Sequence, residues 1–388
     1  MMKNVFFLFV LLTTCSVFGQ ARNEYTAIDH MMASIPAKDT QTTSAIANYI
    51  NTHFSSDNDK IRAVFFWTAS NISYDVPNMN SREQKETSEE KINEALQTRK
   101  GVCIHYAEVF HDLAQKVGIE SAIIGGYTKQ QGGVNYVSHA WCGAKINNKW
   151  YVFDPTWGSG FVNKKTYIRK INNAFFKAEP WKIIATHLPF DYMWQFLTYP
   201  VSPKEFVSGK PENTTAKTAF DYESAITNYQ TLSETEQSVA TVARIEQAGG
   251  KNSAISEYLD VKKSQINYTR QSKVIADFNE VVKAYNEGVY ELNNFIQYRN
   301  RQFKPHVSDE ALKNMMAVTM TKLLYSQKLL NSIGFVDRTN METVNSMRKS
   351  MTETMREANQ QEVFVTKYLS KSKLVRKSMF YKLRTEYL

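Results

Sequence analysis

The sequence predicts an α+β fold in its first half and an all-α bundle in its second. A helical pattern opens at Cys103, with Tyr106, Phe110, Leu113, Ala114 and Val117 on one face and Gly118 as its C-terminal cap. Strand-like runs follow at Ser121 to Tyr127, Val137 to Ile146 and Trp150 to Phe153, separated by Gly132-Gly133 and Asn147-Asn148. A helix followed by an antiparallel meander is an α+β signature. Beyond Phe220 the spacing changes: Val274, Phe278, Val281, Tyr285, Val289, Leu292 and Ile296 step by three or four residues, one side of a long helix.

The remaining elements follow in order. Ala45 to Trp67 reads helical around a break at Ser55 to Asn58, because Ile46, Ile50, Ile61, Val64, Phe65 and Trp67 fall at helical spacing. Asn71 to Asp75 ends it and turns. Ser81 to Glu90 is polar and charged and reads as an exposed loop, and Lys91 to Leu96 as a short helix. Phe175 to Leu197 is rich in aromatics and is expected to pack on the core. Pro200 to Lys217 reads as a linker. Ser233 with Glu236 forms a capping-box pattern. Pro305 breaks the long helix, Ser308 caps a helix through Leu330, Gly334 breaks again, and Met341 to Tyr368 is helical. No fixed-period repeat is present.

Length and charge bound the possibilities. A chain of 388 residues suggests two or three domains. Its net charge of +9, without a stacked-aromatic or groove-reading motif, supports no nucleic-acid role. Lys3 precedes an apolar run from Val5 to Leu12, and Val17 and Gly19 are small residues before a cut at Gln20; this predicts a signal peptide. Cutting after Gln20 fits nearly as well. Thr13-Thr14 disfavour lipid attachment at Cys15. The run is too short to span a bilayer, so the expectation is export to the periplasm or beyond. The expected boundaries are signal peptide 1–19, α+β domain 20–200, linker 201–218 and helical bundle 219–388.

The chemistry concentrates between Gly101 and Gly158. Cys103 stands at a helix start, where partial positive charge and free N–H groups stabilise a thiolate, and its own N–H is an oxyanion donor. With Asn147-Asn148 as a two-residue turn, Ile146 pairs with Lys149, Trp141 with Asp154 and His139 with Thr156. His139, Trp141 and Asp154 then share one face, and Asp154 lies diagonally within reach of the imidazole. A three-residue turn would slip this register. Cys142, an odd step from His139, points to the opposite face, which argues against a disulfide with Cys103. His105 and His111 read as surface groups and His187 as a packing or capping residue. The basic end from Lys367 to Arg384 reads as a solvated face, with contact to an anionic envelope surface as the alternative.

Three segments carry a resemblance: Gly101-Val102-Cys103-x-x-Tyr106-Ala107, His139-Ala140-Trp141, and Trp150-Tyr151-x-x-Asp154-Pro155-Thr156-Trp157-Gly158. Together they resemble the transglutaminase-like superfamily, with its papain-like core, and especially its bacterial branch akin to kyphoscoliosis peptidase. Trp67, Tyr74-Asp75, His187 to Asp191 and Trp194-Gln195 fit the same branch, over about Ile28 to Leu197. The resemblance implies a helix bearing Cys packed on an antiparallel sheet, with Cys103 as nucleophile, His139 as acid and base, and Asp154 as orienter. It leaves open whether members cross-link, cleave or merely bind. Trp67 or Tyr74-Asp75 are candidates for the second oxyanion donor. No metal motif or cofactor is expected. The expected substrate is a protein or peptide, with the C-terminal helices able to hold a protein partner. The competing reading is a non-catalytic scaffold that uses this core as a platform.

Overall fold

The computed structural model describes residues 24–79, 87–130, 132–210 and 217–380. The expected signal peptide, most of the loop at 81–90 and part of the expected linker lie outside the described residues. The chain divides into two compact units, Met1–Val261 and Lys262–Leu388.

The first unit opens with α1 (Thr26–Ala33), α2 (Thr43–His53) and α3 (Asp57–Asn71). The break between α2 and α3 falls where the polar run predicts it, and Ser56 caps α3 by accepting from Asp59 N–H at 3.1 Å. After β1 (Ser73–Tyr74), α4 (Ser88–Thr98) starts earlier than its apolar pattern suggests. Thr87 and Glu90 form a reciprocal capping box that recruits the acidic residues into its first turn. β2 (Lys100–Gly101) pairs parallel to β1, and α5 (Cys103–Lys116) follows at once.

A four-stranded antiparallel sheet forms the second layer: β3 (Ser121–Gln130), β4 (Gly133–Ile146), β5 (Lys149–Phe153) and, further on, β8 (His187–Pro189), in the order β5-β4-β3-β8. The β4–β5 register is the expected one, with Ile146 opposite Lys149 and Cys142 opposite Phe153. Asn147 and Asn148 have φ of 50° and 62°. Two left-handed residues make the turn whose twist suits a hairpin, and asparagine tolerates that region well. Between β5 and β8 lie α6 (Pro155–Ser159), the hairpin β6 (Gly160–Asn163) with β7 (Thr166–Arg169), and α7 (Pro180–Ile183).

One face of the sheet packs on α5. Ala140, Cys142, Ala144, Ile146 and Phe153 join Tyr106, Ala107, Phe110 and Leu113 in the largest core. The other face carries Trp141, Trp150 and Val152 against Met193 and Phe196, so the aromatic stretch packs on the core as expected.

The expected linker and domain boundary need correction. Pro203–Ser208 is a helix, α8, closed by a Ser202–Glu205 capping box, and Phe206 is 4% exposed among Tyr127, Leu188 and Phe190. α9 (Tyr222–Gln230) and α10 (Glu234–Ala248) also belong to the first unit. Ile226 and Ile245 seal two clusters on the sheet's outer face. The division between units falls inside α11 (Ser253–Asn300), well beyond residue 219. Polar composition hid this, because each of these short helices buries only a few apolar side chains.

In the second unit the rest of α11 packs with α12 (Asp309–Ser332) and α13 (Arg338–Leu369). Val274 and Val281 meet Leu330 and Met351 in one cluster, while Phe295 and Tyr298 meet Leu312, Met316 and Tyr368 in another. That order makes α11 antiparallel to α12, and α12 to α13. Ser308 caps α12 as expected, accepting from Ala311 N–H at 3.0 Å. Part of the basic end is tied down, since Arg376 forks onto both oxygens of Asp309.

Phe206→Ala should therefore destabilise the protein by about 3–5 kcal/mol, as loss of a buried aromatic does. Denaturant unfolding checks this. A change within about 0.5 kcal/mol, the range for exposed sites, would restore the linker reading.

Candidate active site

Cys103 is the first helical residue of α5, so its N–H is one of the free amides of the first turn. The preceding backbone is pinned from both sides. Tyr74 pairs with Gly101 across the short parallel ladder. His105 Nδ1 accepts the Val102 N–H at 3.2 Å, and its Nε2 lies 3.3 Å from Glu94 Oε2. His105 is thus a helix cap, 8% exposed, and not the surface group its spacing suggests. Gly101 makes this possible, because a Cβ there would lie 2.5 Å from His105 Cβ. Tyr106 donates to Ile72 O at 2.7 Å and accepts from Ser159 Oγ at 3.5 Å. One hydroxyl therefore joins the Cys103 helix, the end of α3 and the segment after Asp154.

Asp154 ends the β5 edge and caps α6. Its Oδ1 accepts Thr156 N–H at 2.9 Å and Trp157 N–H at 3.0 Å. Its Oδ2 lies 2.8 Å from His139 Nε2 and 3.1 Å from His187 Nε2. The side chains of Asp154, His187 and His139 are 0%, 1% and 11% exposed. Cys103 lies close enough to raise the pKa of the His139 imidazole. Since Nε2 faces Asp154, Nδ1 is the nitrogen left for the thiol. Of the residues singled out by their register, His139 and Asp154 meet directly, and Cys103 acts on the same imidazole.

Electrostatics follow from burial and this contact chain. Burial works against charge on His139, but the Asp154 carboxylate and the Cys103 thiol overcome it and push its pKa up to about 10. Burial likewise opposes ionisation of Asp154, yet the charges and hydrogen bonds of His139 and His187 hold its carboxyl well below the usual range. Burial lowers the pKa of His187, and the nearby His139 charge adds to this against the pull of Asp154. Trp141 and Trp157 flank the His139 ring at 5.9 and 5.6 Å, making a dry setting in which these interactions are strong. Tyr74 is pushed up to about 12 by burial first and then by Cys103 and Asp154, which places its hydroxyl in their field.

His187 is the residue that sequence reasoning missed. It arrives on β8, paired opposite Thr128, and its Nδ1 meets Thr186 Oγ1 at 2.8 Å. Gly126 lets β8 and Trp141 close in; a Cβ there would stand 2.2 Å from Leu188 O and 2.4 Å from Trp141 Cη2. Trp67, an oxyanion candidate, is fully buried in the core under the Arg99 guanidinium at 5.1 Å, and its Nε1–H finds no hydrogen-bond partner among the described residues. Cys142 is packed and unpaired, as expected. It points away from His139, to the face on which α5 lies, and its thiol donates to Ala107 O at 3.5 Å. Both cysteines are free, and burial pushes the Cys142 thiol well up. His111 is not a free surface group either, since its Nδ1 meets Ser121 Oγ at 2.8 Å.

His139, Asp154 and His187 bring three possible metal-ligand atoms within 4.8 Å of one another. Both imidazole nitrogens, however, address the same carboxylate oxygen at hydrogen-bond distance. That arrangement pairs the three candidate ligand atoms with one another within the protein itself.

An antiparallel sheet with a cysteine-bearing helix on one face is the architecture of a transglutaminase-like core. Residues 36–155 match the model of the transglutaminase-like superfamily and form such a domain, spanning Cys103, His139 and Asp154 but not His187. The chain is similar to kyphoscoliosis peptidase of Mus musculus, 30% identical over 159 residues, and of Homo sapiens, 29% identical over 159 residues. Each match covers 39% of this chain and 24% of the relative, so the chain spans about a quarter of the length of those curated relatives. Among solved structures it is similar to a candidate cysteine protease from Cytophaga hutchinsonii, at 18% identity and a TM-score of 0.25 over 39% of this chain and 49% of that one. It is also similar to a TGase, at 15% identity and a TM-score of 0.27 over 62% of this chain and 55% of that one.

The sign of the His139 shift is testable by NMR titration of its imidazole. The wild-type ring should hold its proton to about pH 10. In Asp154→Asn the larger attraction is gone while burial and the smaller pull of Cys103 remain, so the ring should titrate well below the wild type. An unchanged titration would remove Asp154 from the account.

Proposed function

We propose that this chain is a thiol-dependent acyl-transfer enzyme acting on peptide or amide bonds, with hydrolysis as its main outcome. The observation that carries this reading is His139, hydrogen-bonded to the buried Asp154 and raised in pKa by the nearby Cys103. A nucleophile, a base and an orienting carboxylate are the parts covalent acyl transfer needs.

In this mechanism the Cys103 thiolate attacks the carbonyl carbon and forms a C–S bond. The oxyanion is met by the Cys103 N–H at the helix start. Tyr74, which stands in the field of Cys103 and Asp154, is the second donor; Trp67 is buried in the core. His139 Nδ1–H then protonates the leaving amine as the C–N bond breaks, leaving a thioester and a neutral imidazole. Water loses a proton to His139 and attacks the thioester, releasing the acid and restoring the thiolate–imidazolium pair. An amine in place of water would give transamidation. Water is the default acceptor in the envelope compartment that the first residues predict.

The test is mass spectrometry of peptide mixtures after incubation, scoring cleavage, deamidation and cross-links together. The wild type should cleave, and Cys103→Ala should lose at least about a thousandfold in rate. Its kcat/KM should fall at alkaline pH as His139 loses its proton, near 10. Equal activity of wild type and Cys103→Ala would end the proposal.

A further inference from the structure

We propose that His187 is a positioning residue of the site, which holds the Asp154 carboxylate in place as an anion while His139 is uncharged. This rests on the acyl-transfer reading, and it concerns a residue outside the segment that matches the superfamily model. The geometry points to it directly. One carboxylate oxygen serves two imidazoles, at 2.8 Å from His139 and 3.1 Å from His187.

The need for a second imidazole appears when charge is followed through the reaction. In the proposed mechanism the pocket holds a thiolate, an imidazolium and a carboxylate before attack. Once His139 has given its proton to the leaving amine, the thiolate has become a thioester and the imidazole is neutral. Asp154 is then an anion with 0% side-chain exposure and no cationic partner. Such a group is costly unless hydrogen bonds satisfy it. Thr156 N–H and Trp157 N–H take one oxygen. His139 Nε2–H remains on the other, and His187 Nε2–H is the further donor that keeps that oxygen served throughout.

His187 suits this role because it is built to stay neutral. Burial, reinforced by the His139 charge, lowers its pKa. As a neutral donor it supports the carboxylate without competing with His139 for its charge. Its Nδ1 meets the Thr186 hydroxyl at 2.8 Å, and its Nε2 faces the Asp154 carboxylate, which as an anion can only accept, so Nε2 carries a proton. Trp157 and Trp141 meet the ring edge-on at 4.6 and 5.0 Å, so its plane is held. The other ionisable groups that feel the charge of Asp154 are Tyr74 on β1 and Cys142 on β4. Neither of these donates a hydrogen bond to the carboxylate among the described residues.

The test uses the full chain and two readouts: turnover of a cleaved peptide, and the rate of Cys103 alkylation by iodoacetamide as a function of pH. In His187→Phe, Asp154 loses a donor that favours its anion, so its carboxyl protonates at higher pH and His139 loses its counter-charge there. The acid limb of alkylation should move up in pH, and turnover should fall about ten- to a hundredfold, as losses of such supporting partners do. His187→Gln keeps an N–H donor and should return both readouts towards wild type. Thr186→Val, which leaves His187 in place, should shift the limb in the same direction by less, and it decides the question if His187→Phe does not fold. Wild-type behaviour in His187→Phe, or a Gln variant as impaired as the Phe variant, overturns the proposal. His139→Ala separates the two levels. If it alkylates like wild type, the acyl-transfer reading has failed; if it is slow while His187→Phe is normal, only the role of His187 has failed.

Discussion

Everything at this site depends on one buried carboxylate. Asp154 sits where a strand ends and a short helix begins, and its oxygens are met by Thr156, Trp157, His139 and His187. An anion so placed must be paired and hydrogen-bonded to persist. Each donor is delivered by a different feature of the fold: the α6 backbone, β4 and β8. The carboxylate is thus both a structural joint and the source of the charge that keeps His139 protonated. The same joint aligns the Cys103 helix, because Tyr106 reaches Ser159 just past Asp154.

The packing of the two sheet faces explains how a cysteine on α5 comes to act on an imidazole of the sheet. α5 covers the face of Ala140 and Cys142, whereas His139 and Trp141 belong to the other. Cys103 is at the very start of its helix, where it can reach past the sheet rather than lie under it. Residues further along α5 meet strand residues instead, as Ala107 meets Cys142.

Much of this was legible in the chain. The Asn147-Asn148 turn set the hairpin register, and strand alternation then put His139 and Asp154 together. Alternation says which residues share a face but not which face a helix will cover, so it places Cys142 opposite His139 and packed, as found, without showing that α5 is what covers it. His187 carries no local pattern: it lies 33 residues from its partner on a three-residue strand, and only the tertiary fold brings it to Asp154. His105 was missed because a capping histidine looks the same in sequence as an exposed one. Phe206 was missed because a six-residue helix buries too little to show a period.

The central claim is that Asp154 acts on Cys103 through His139 as one unit. A double-mutant cycle tests it most directly, using Cys103 alkylation rates at neutral pH for wild type, His139→Ala, Asp154→Asn and the double variant. Residues acting as a unit are strongly non-additive. The double variant should be scarcely slower than His139→Ala alone. Fully additive losses would show that Asp154 acts independently of His139 and would contradict the account.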